Sequence, residues 1–544
     1  MSLTRHQRPP VHRIIARPVG LVLLVLGAAL LLTSIAELGF SLASLDPVDP
    51  FQSIAPLLGT APIAAALGAV CLWWGRAIPT TSSLDRRDAS VAVVAIWTLL
   101  CIVGALPLVF GSDASLPDAL FESMSGFTTT GATIFADIEG TLTPPLIMWR
   151  AVMHWLGGMG IVVLFVAIFP NLGVSGKHLF RSEVPGVTAE GLRPRITDTS
   201  LVLWQLYVGL TVIAVALLWW LGMGVHDAIV HGLGTLSTGG FSSRDASVAA
   251  FASPAIEWVL AVLMLLAGVN FGLYYAVVRT GKLKTMWRSA ELRVYVGIVV
   301  AATGALTWLL QDAHGGDLLV SLRYSFFRVA TSLTSTGFGI DDHRHYPPAA
   351  MAIMLLMMVV GGCAGSTAGG MKISRVVILV KASIAQVRRS VRPAVVSVVR
   401  VDHRPVQPSI VVDVMSFFAL YIFCLVVFSL VVVCTDGVPV PTAVGAVLSC
   451  LSNMGPAPFY LDTDNFSGWT ATAKLVFCLA MVLGRLEFFT VLALLLPEVW
   501  RRRVLPEPPI LSTFSARVSS SRPSSQAWWS STNSPSQARS ITAA

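Results

Sequence analysis

Thr129-Thr130-Gly131 ends a short apolar segment with small polar residues and a glycine, and the chain repeats that ending at Ser237-Thr238-Gly239, Ser335-Thr336-Gly337 and Asn453-Met454-Gly455. The four glycines lie roughly 100 residues apart, which leaves room for two spanning helices of about 20 residues each, a re-entrant half-helix and its loops. One polypeptide therefore carries four copies of a unit that spans, dips and spans again. Non-helical backbone at membrane depth is tolerated only where protein buries it or where it lines a water-filled path. Four such interruptions at equivalent places predict one shared path, and carbonyl-bearing loops around one axis can replace the water shell of an alkali cation.

The composition agrees. Apolar residues make up 55% of the chain and charged residues 12%, with a mean hydropathy of +0.74, so the expected fold is an all-α polytopic membrane protein. Ten apolar runs stand out, at about 18–40, 53–75, 89–110, 145–170, 199–222, 254–278, 293–310, 348–380, 410–434 and 471–498. The first two lack a glycine loop and form, with the N-terminal segment, a preamble over 1–88. Pore units follow at 89–185, 186–290, 291–405 and 406–503, and a Pro-, Ser- and Arg-containing tail over 504–544 has too little patterned apolar surface to offset ordering entropy.

One basic cluster, Arg5 to Arg17, precedes the first run, and the others follow alternate runs, at Arg76 to Arg87, Lys177 to Arg195, Arg279 to Arg288, Lys381 to Arg404 and Arg501 to Arg503. The positive-inside rule puts all of them, and both termini, in the cytoplasm. Topology thus accounts for the net charge of +8 without nucleic-acid binding. The opposite side is richer in acid, including Asp113, Asp118, Asp137, Glu139, Asp227, Asp341 and Asp342, as well as Asp46, Asp462 and Asp464. A cation-attracting vestibule and ordinary loop solubility account for this equally well. The seven cysteines lack metal-ligand spacing and read as packing residues.

The segments before the glycines, about 116–127, 226–236, 321–333 and 442–451, are too short to span. As half-helices with C-terminal ends at the centre, they would offer negative partial charge to a cation. Glycine at each turn reaches positive φ and lets a carbonyl face the axis. Thr130, Thr238 and Thr336 could add hydroxyl oxygens, while Met454 makes the fourth loop irregular and Pro456 stiffens it. The K+ ligands expected on this reading are carbonyls of Thr130, Gly131, Thr238, Gly239, Thr336, Gly337, Asn453, Met454 and Gly455. Aligned on the glycines, Glu122 and Arg328 share one position in diagonal units, which predicts separate buried partners for them.

Two further features suggest a gate. The eighth run is broken by Gly361-Gly362-Cys363-Ala364-Gly365-Ser366-Thr367-Ala368-Gly369-Gly370, followed by Met371 and Lys372, enough glycine to unwind a helix. Small-residue helix packing is the rival reading. Arg485 lies within the last run, where a charge must face protein or water. It is either an electrostatic barrier in the path or half of a buried ion pair, and Glu487, two residues on, points to another face.

Together, Phe121-Glu-Ser-Met-Ser-Gly-Phe-Thr-Thr-Thr-Gly-Ala-Thr133, Trp155-Leu-Gly-Gly-Met-Gly160, the 361–372 run, Asn453-Met-Gly-Pro456 and Gly484-Arg-Leu-Glu487 resemble the TrkH/KtrB family of potassium transporters, and within it the TrkH branch. The resemblance covers about residues 15–500. It implies a homodimer with one pore per subunit, potassium uptake across a bacterial inner membrane, and cytosolic nucleotide-binding TrkA-type subunits that control opening. It also implies filter roles for Gly131, Gly239, Gly337 and Gly455, a gate role for 361–370, and a place beneath the filter for Arg485. In related plant transporters serine at the first glycine goes with sodium preference, so Gly131 implies potassium. No organic cofactor is expected. A Na+- or H+-coupled symporter is the rival transport reading. An intramembrane enzyme would need a midplane catalytic group, whereas His154 and His231 stand isolated in the sequence, and a scaffold would not need four glycine loops.

Overall fold

Proline at the first helical positions and short polar caps start most of the helices. Asp49 accepts from the Phe51 amide before Pro50, Asp317 accepts from the Leu319 and Val320 amides, and Thr470 from that of Ala473. A computed structural model describes residues 11–44, 49–76, 86–167, 196–393, 398–402, 404–456 and 465–500. All belong to one compact unit, Pro9–Arg501. The expected tail at 504–544, the basic residues Arg5, Arg8, Lys177, Arg181, Arg193, Arg195 and Arg501 to Arg503, and the acids Asp46, Asp462 and Asp464 lie outside the described residues.

The preamble is a helix pair, α1 (Val11–Ser44) and α2 (Pro50–Gly75). The first unit contains α3 (Arg86–Gly111), half-helix α4 (Leu116–Phe127) and α5 (Pro144–Ala167). The second contains α6 (Ile196–Trp220), half-helix α7 (Val225–Leu236), α8 (Pro254–Ala267) and α9 (Phe271–Thr280). The third contains α10 (Ala290–Leu310), half-helix α11 (Leu318–Leu333), α12 (Pro348–Val360) and α13 (Ile373–Val391). A two-residue hairpin, Arg400–Val401 with Arg404–Pro405, leads to the fourth. That unit has α14 (Pro408–Asp436), half-helix α15 (Val440–Ser452), α16 (Ala471–Leu486) and α17 (Phe488–Leu492).

Packing closes these units into a ring. Each opening helix packs on the half-helix of its own unit, α3 on α4, α6 on α7, α10 on α11 and α14 on α15. Each closing helix packs on the half-helix of the next unit, α5 on α7, α8 on α11, α12 on α15 and, completing the circuit, α16 on α4. The α1/α2 pair lies against α3 and α5.

Among the described residues six helices are long and apolar enough to cross a membrane, or eight if two bent pairs each count as one span. With α5 and the broken α12/α13 run they occupy the ten apolar runs of the sequence. The runs at 254–278 and 471–498 are not the continuous spans the hydropathy predicts: α8 and α9 meet at 86°, and α16 and α17 at 115°. In the first, Asn270 leaves the helix and caps the next one by accepting from the Gly272 amide at 2.7 Å. In the second, Glu487 takes a positive φ of 67° and its carboxylate pairs with Arg375 on α13 at 2.5 Å.

Two glycines set the spacing of α1 and α2. A Cβ on Gly20 would stand 2.8 Å from the Gly68 carbonyl oxygen, and one on Gly68 2.9 Å from that of Gly20. Both atoms are backbone and cannot yield without moving the helices apart. Gly68→Leu is therefore expected to destabilise the protein by about 1–3 kcal/mol, read as a lowered midpoint of thermal unfolding in detergent; an unchanged midpoint would mean the pair does not depend on this approach.

Candidate functional site

All four half-helices end in the same way. Thr129, Thr238, Ser335 and Asn453 take left-handed backbone, with φ of 53°, 53°, 53° and 54°. The amide of each donates three residues back, and the next amide donates five residues back, as from Thr130 to Ser125, Gly239 to Gly234, Thr336 to Thr331 and Met454 to Ser449. This is the Schellman termination, here built on residues other than glycine. Two residues after each left-handed residue comes a glycine with positive φ: Gly131 (80°), Gly240 (84°), Gly337 (89°) and Gly455 (95°).

The structural register therefore differs from the sequence repeat in the second unit. There the equivalent triplet is Thr238-Gly239-Gly240. Gly240 and not Gly239 occupies the place of Gly131, Gly337 and Gly455, while Gly239 takes the place of Thr130, and Ser237 belongs to the end of the half-helix. The sequence offered two adjacent glycines, and alignment on the Ser-Thr-Gly triplet chose the first.

The turns lie in direct contact. A Cβ on Gly131 would run into the Gly239 carbonyl oxygen, one on Gly240 into that of Thr336, one on Gly337 into that of Met454, and one on Gly455 into that of Thr130. Each glycine thus abuts the middle carbonyl of another turn, and four such contacts close on themselves. The expected irregularity of the fourth turn is confined to its side chain, because the Met454 carbonyl fills the same place as the others. Asn453 Nδ2 adds a cross-link from the fourth unit to the first, donating to Thr130 Oγ1 at 3.0 Å and to the Met481 carbonyl at 3.0 Å.

The three threonine hydroxyls named above are engaged in the wall of the ring. Thr130 Oγ1 pairs with Thr128 Oγ1 and Thr336 Oγ1 with Thr334 Oγ1, each at 2.7 Å, and Thr238 Oγ1 donates to the Ser237 carbonyl at 2.6 Å.

Nine residues before three of the four ring glycines stands a side chain that ties the half-helix to the segment leaving the ring. In the corrected register these are Glu122, His231 and Arg328, with Ala446 at the fourth place. Glu122 accepts from the Ile134 amide at 2.9 Å and from Thr133, and pairs with Arg150 at 2.7 Å. His231 Nε2 meets Ser242 Oγ at 3.0 Å. Arg328 pairs with Asp341 at 2.5 Å and also donates to the Asp341 carbonyl. Ala446 alone has no polar group. Separate partners for Glu122 and Arg328 were expected; His231 became visible only with the register of the second turn.

The 361–372 run passes close to the ring as a loop of turns and bends between α12 and α13. The Gly369 amide donates to Ser335 Oγ at 2.5 Å and the Gly370 amide to the Ser452 carbonyl at 3.1 Å, so the loop is fastened to the third and fourth turns. Its outer edge is held by Cys363 N–H to the Gly268 carbonyl at 3.0 Å and Ala364 N–H to Glu291 at 2.7 Å. Lys372 Nζ folds back onto the Ala368 carbonyl.

Arg485 on α16 is 5% exposed, and it reaches two diagonal units at once. Nη1 donates to the Thr367 carbonyl of the loop at 2.7 Å and Nη2 to the Gly157 carbonyl of α5 at 3.3 Å. Its partners are carbonyls, whereas Glu487 pairs with Arg375. A side chain of the fourth unit thus joins the loop of the third unit to the closing helix of the first.

Half-helices converging on one ring of backbone carbonyls, inside a bundle of apolar helices, define a polytopic membrane protein arranged about a central pore. Residues 59–500 match the TrkH family model, described as cation transport protein, and the chain belongs to that family. It is 38% identical over 443 residues to the Trk system potassium uptake protein TrkH of Salmonella typhimurium, covering 81% of this chain and 91% of that protein. It is 35% identical over 496 residues to TrkH of Halomonas elongata, covering 90% and 99%. The crystal structure of the potassium transporter TrkH from Vibrio parahaemolyticus superposes with a TM-score of 0.80 at 32% identity, covering 90% of this chain and 99% of that one.

A methyl group on Gly240 meets both a strained φ and the Thr336 carbonyl. Gly240→Ala is expected to cost about 1–3 kcal/mol, measured by thermal unfolding in detergent. Gly281→Ala, at positive φ with open space around it, isolates the φ cost alone and is expected to cost less.

Proposed function

We propose that this chain carries potassium into the cell through the four-turn ring, down its electrochemical gradient, with the 361–372 loop and Arg485 as the gate. The observation that carries the reading is the closed circuit of glycine-to-carbonyl contacts. A ring held by backbone sterics keeps its carbonyls in place without help from the ion, so a dehydrated cation meets oxygens already arranged for it. The C-terminal ends of α4, α7, α11 and α15 add negative partial charge on the same site. The names carried by the relatives, potassium uptake proteins and a potassium transporter, agree with K+ as the ion.

In the gate, the guanidinium of Arg485 puts a fixed positive charge beneath a cation site. Passage requires it to move or to be screened. Loop displacement would break Arg485 to Thr367, Gly369 to Ser335 and Gly370 to Ser452, and those bonds hold the closed arrangement. The loop continues through Lys372 directly into α13, whose last turn carries Arg388 and Arg389. A pull on α13 is therefore transmitted to the loop, which suits control by a separate cytosolic nucleotide-binding partner of TrkA type on a homodimer in the inner membrane.

Proteoliposome flux tests the reading. Uptake should follow K+ and the membrane potential, with Rb+ admitted and Na+ partly excluded; a reversal potential set by Na+ would overturn it, and dependence on a second ion gradient would make the protein a symporter. Arg485→Ala removes two charge-assisted hydrogen bonds and the barrier charge, and basal K+ flux should rise roughly tenfold or more. Normal closed-state flux in a folded Arg485→Ala protein would remove the arginine from the gate.

A further inference from the structure

The second turn is the one quarter of the ring whose middle residue is glycine with no side chain of its own, and another element fills the vacant place. A Cβ on Gly239 would collide with the imidazole of His154, standing 2.7 Å from Nδ1 and closer still to its carbons. His154 comes from α5 of the first unit and is fully buried. Its ring stacks on Phe241 with centroids 4.1 Å apart, and the guanidinium of Arg150, one turn earlier, lies 4.0 Å from the centroid of the same phenyl ring. Phe241, the residue immediately after Gly240, is thus flanked by two side chains of the neighbouring unit.

The hydrogen bonds fix the chemical form of His154. Nδ1 lies 2.8 Å from the Gly126 carbonyl, which can only accept, so Nδ1 carries the hydrogen. Nε2 lies 3.2 Å from the Phe241 amide, which can only donate, so Nε2 presents its lone pair. The imidazole is therefore neutral, and its two nitrogens have opposite roles. The amide it holds belongs to the peptide plane that also contains the Gly240 carbonyl. In a trans peptide the N–H and C=O point in opposite directions. An N–H drawn outward to a helix behind the ring turns the Gly240 carbonyl away from that helix.

We infer that His154 is a positioning residue for ion discrimination, a neutral strut between Gly126 and Phe241 that aims the Gly240 carbonyl at the ring axis. The inference rests on the ring being the ion filter. It also accounts for Gly239, since the space that a threonine side chain would need is the space the strut occupies. The fourth quarter cannot be held in this way, because Pro456 has no N–H to offer.

The test compares two near-isosteric replacements in purified full-length protein in proteoliposomes. Glutamine can donate from its amide nitrogen and accept at its oxygen; methionine fills a similar volume and does neither. His154→Gln is expected to keep the K+ over Na+ flux ratio within about twofold of the parent, and His154→Met to lower it roughly threefold to tenfold while K+ flux persists. Equal ratios in the two variants would overturn the inference. So would a His154→Met protein that elutes aggregated while His154→Gln folds, since that makes the two hydrogen bonds a requirement of folding and not of discrimination. A parent protein that does not discriminate K+ from Na+ would instead remove the filter reading, and that control is read before either variant.

Discussion

Four backbone glycines pressed against four backbone carbonyls form the constraint on which the rest of this molecule depends. Neither partner in these contacts can rotate away as a side chain could, so the size of the ring is set by covalent geometry and not by rotamers. That rigidity has a local cost. Thr129, Thr238, Ser335 and Asn453 all hold left-handed φ, a conformation that disfavours residues with a Cβ by about 1–2 kcal/mol each. Such strain persists only where the surroundings impose it. Here they do so through the closing helix of the preceding unit, through Asn453 bonded to Thr130, and through the buried pairs Glu122 with Arg150 and Arg328 with Asp341.

The layout was largely legible in the sequence because the bilayer limits what an apolar run of given length can do. Half-helices expected at 116–127, 226–236, 321–333 and 442–451 occur at Leu116–Phe127, Val225–Leu236, Leu318–Leu333 and Val440–Ser452. What hydropathy does not encode is direction. The runs at 254–278 and 471–498 are apolar enough to read as single spans yet turn through 86° and 115°, because Asn270 caps a new helix and Glu487 finds Arg375 on a distant segment. An asparagine or a glutamate inside an apolar run was the available signal, and only the partner gives it meaning.

The register of the turns was legible to within one residue. Three turns share the register of the sequence repeat, and the second is offset because Ser237-Thr238-Gly239-Gly240 contains two overlapping matches to it. The choice depends on which residue adopts the left-handed conformation, a property of the backbone that composition does not reveal. The displacement also hid His231 from its counterparts Glu122 and Arg328. The functions of His154 in holding Phe241 and of Glu291 in holding Ala364 were beyond sequence reasoning, since each joins segments about ninety or seventy residues apart.

Every closing helix packs both on the half-helix of its own unit and on the one that comes after it, so each half-helix is wedged between two closing helices. The third closing helix is the one that ends at Val360 and hands over to the glycine loop, and the half-helices leaning on it are α11 and α15. The quadrant containing Met454 and Pro456 holds alanine at the equivalent position 446, and there Ser449 Oγ supplies the tether instead, donating to the Gly455 carbonyl at 2.6 Å. On the gate reading proposed above, a displacement where the third closing helix meets the loop would be felt in two corners of the ring at once, the one that helix closes and the one it adjoins.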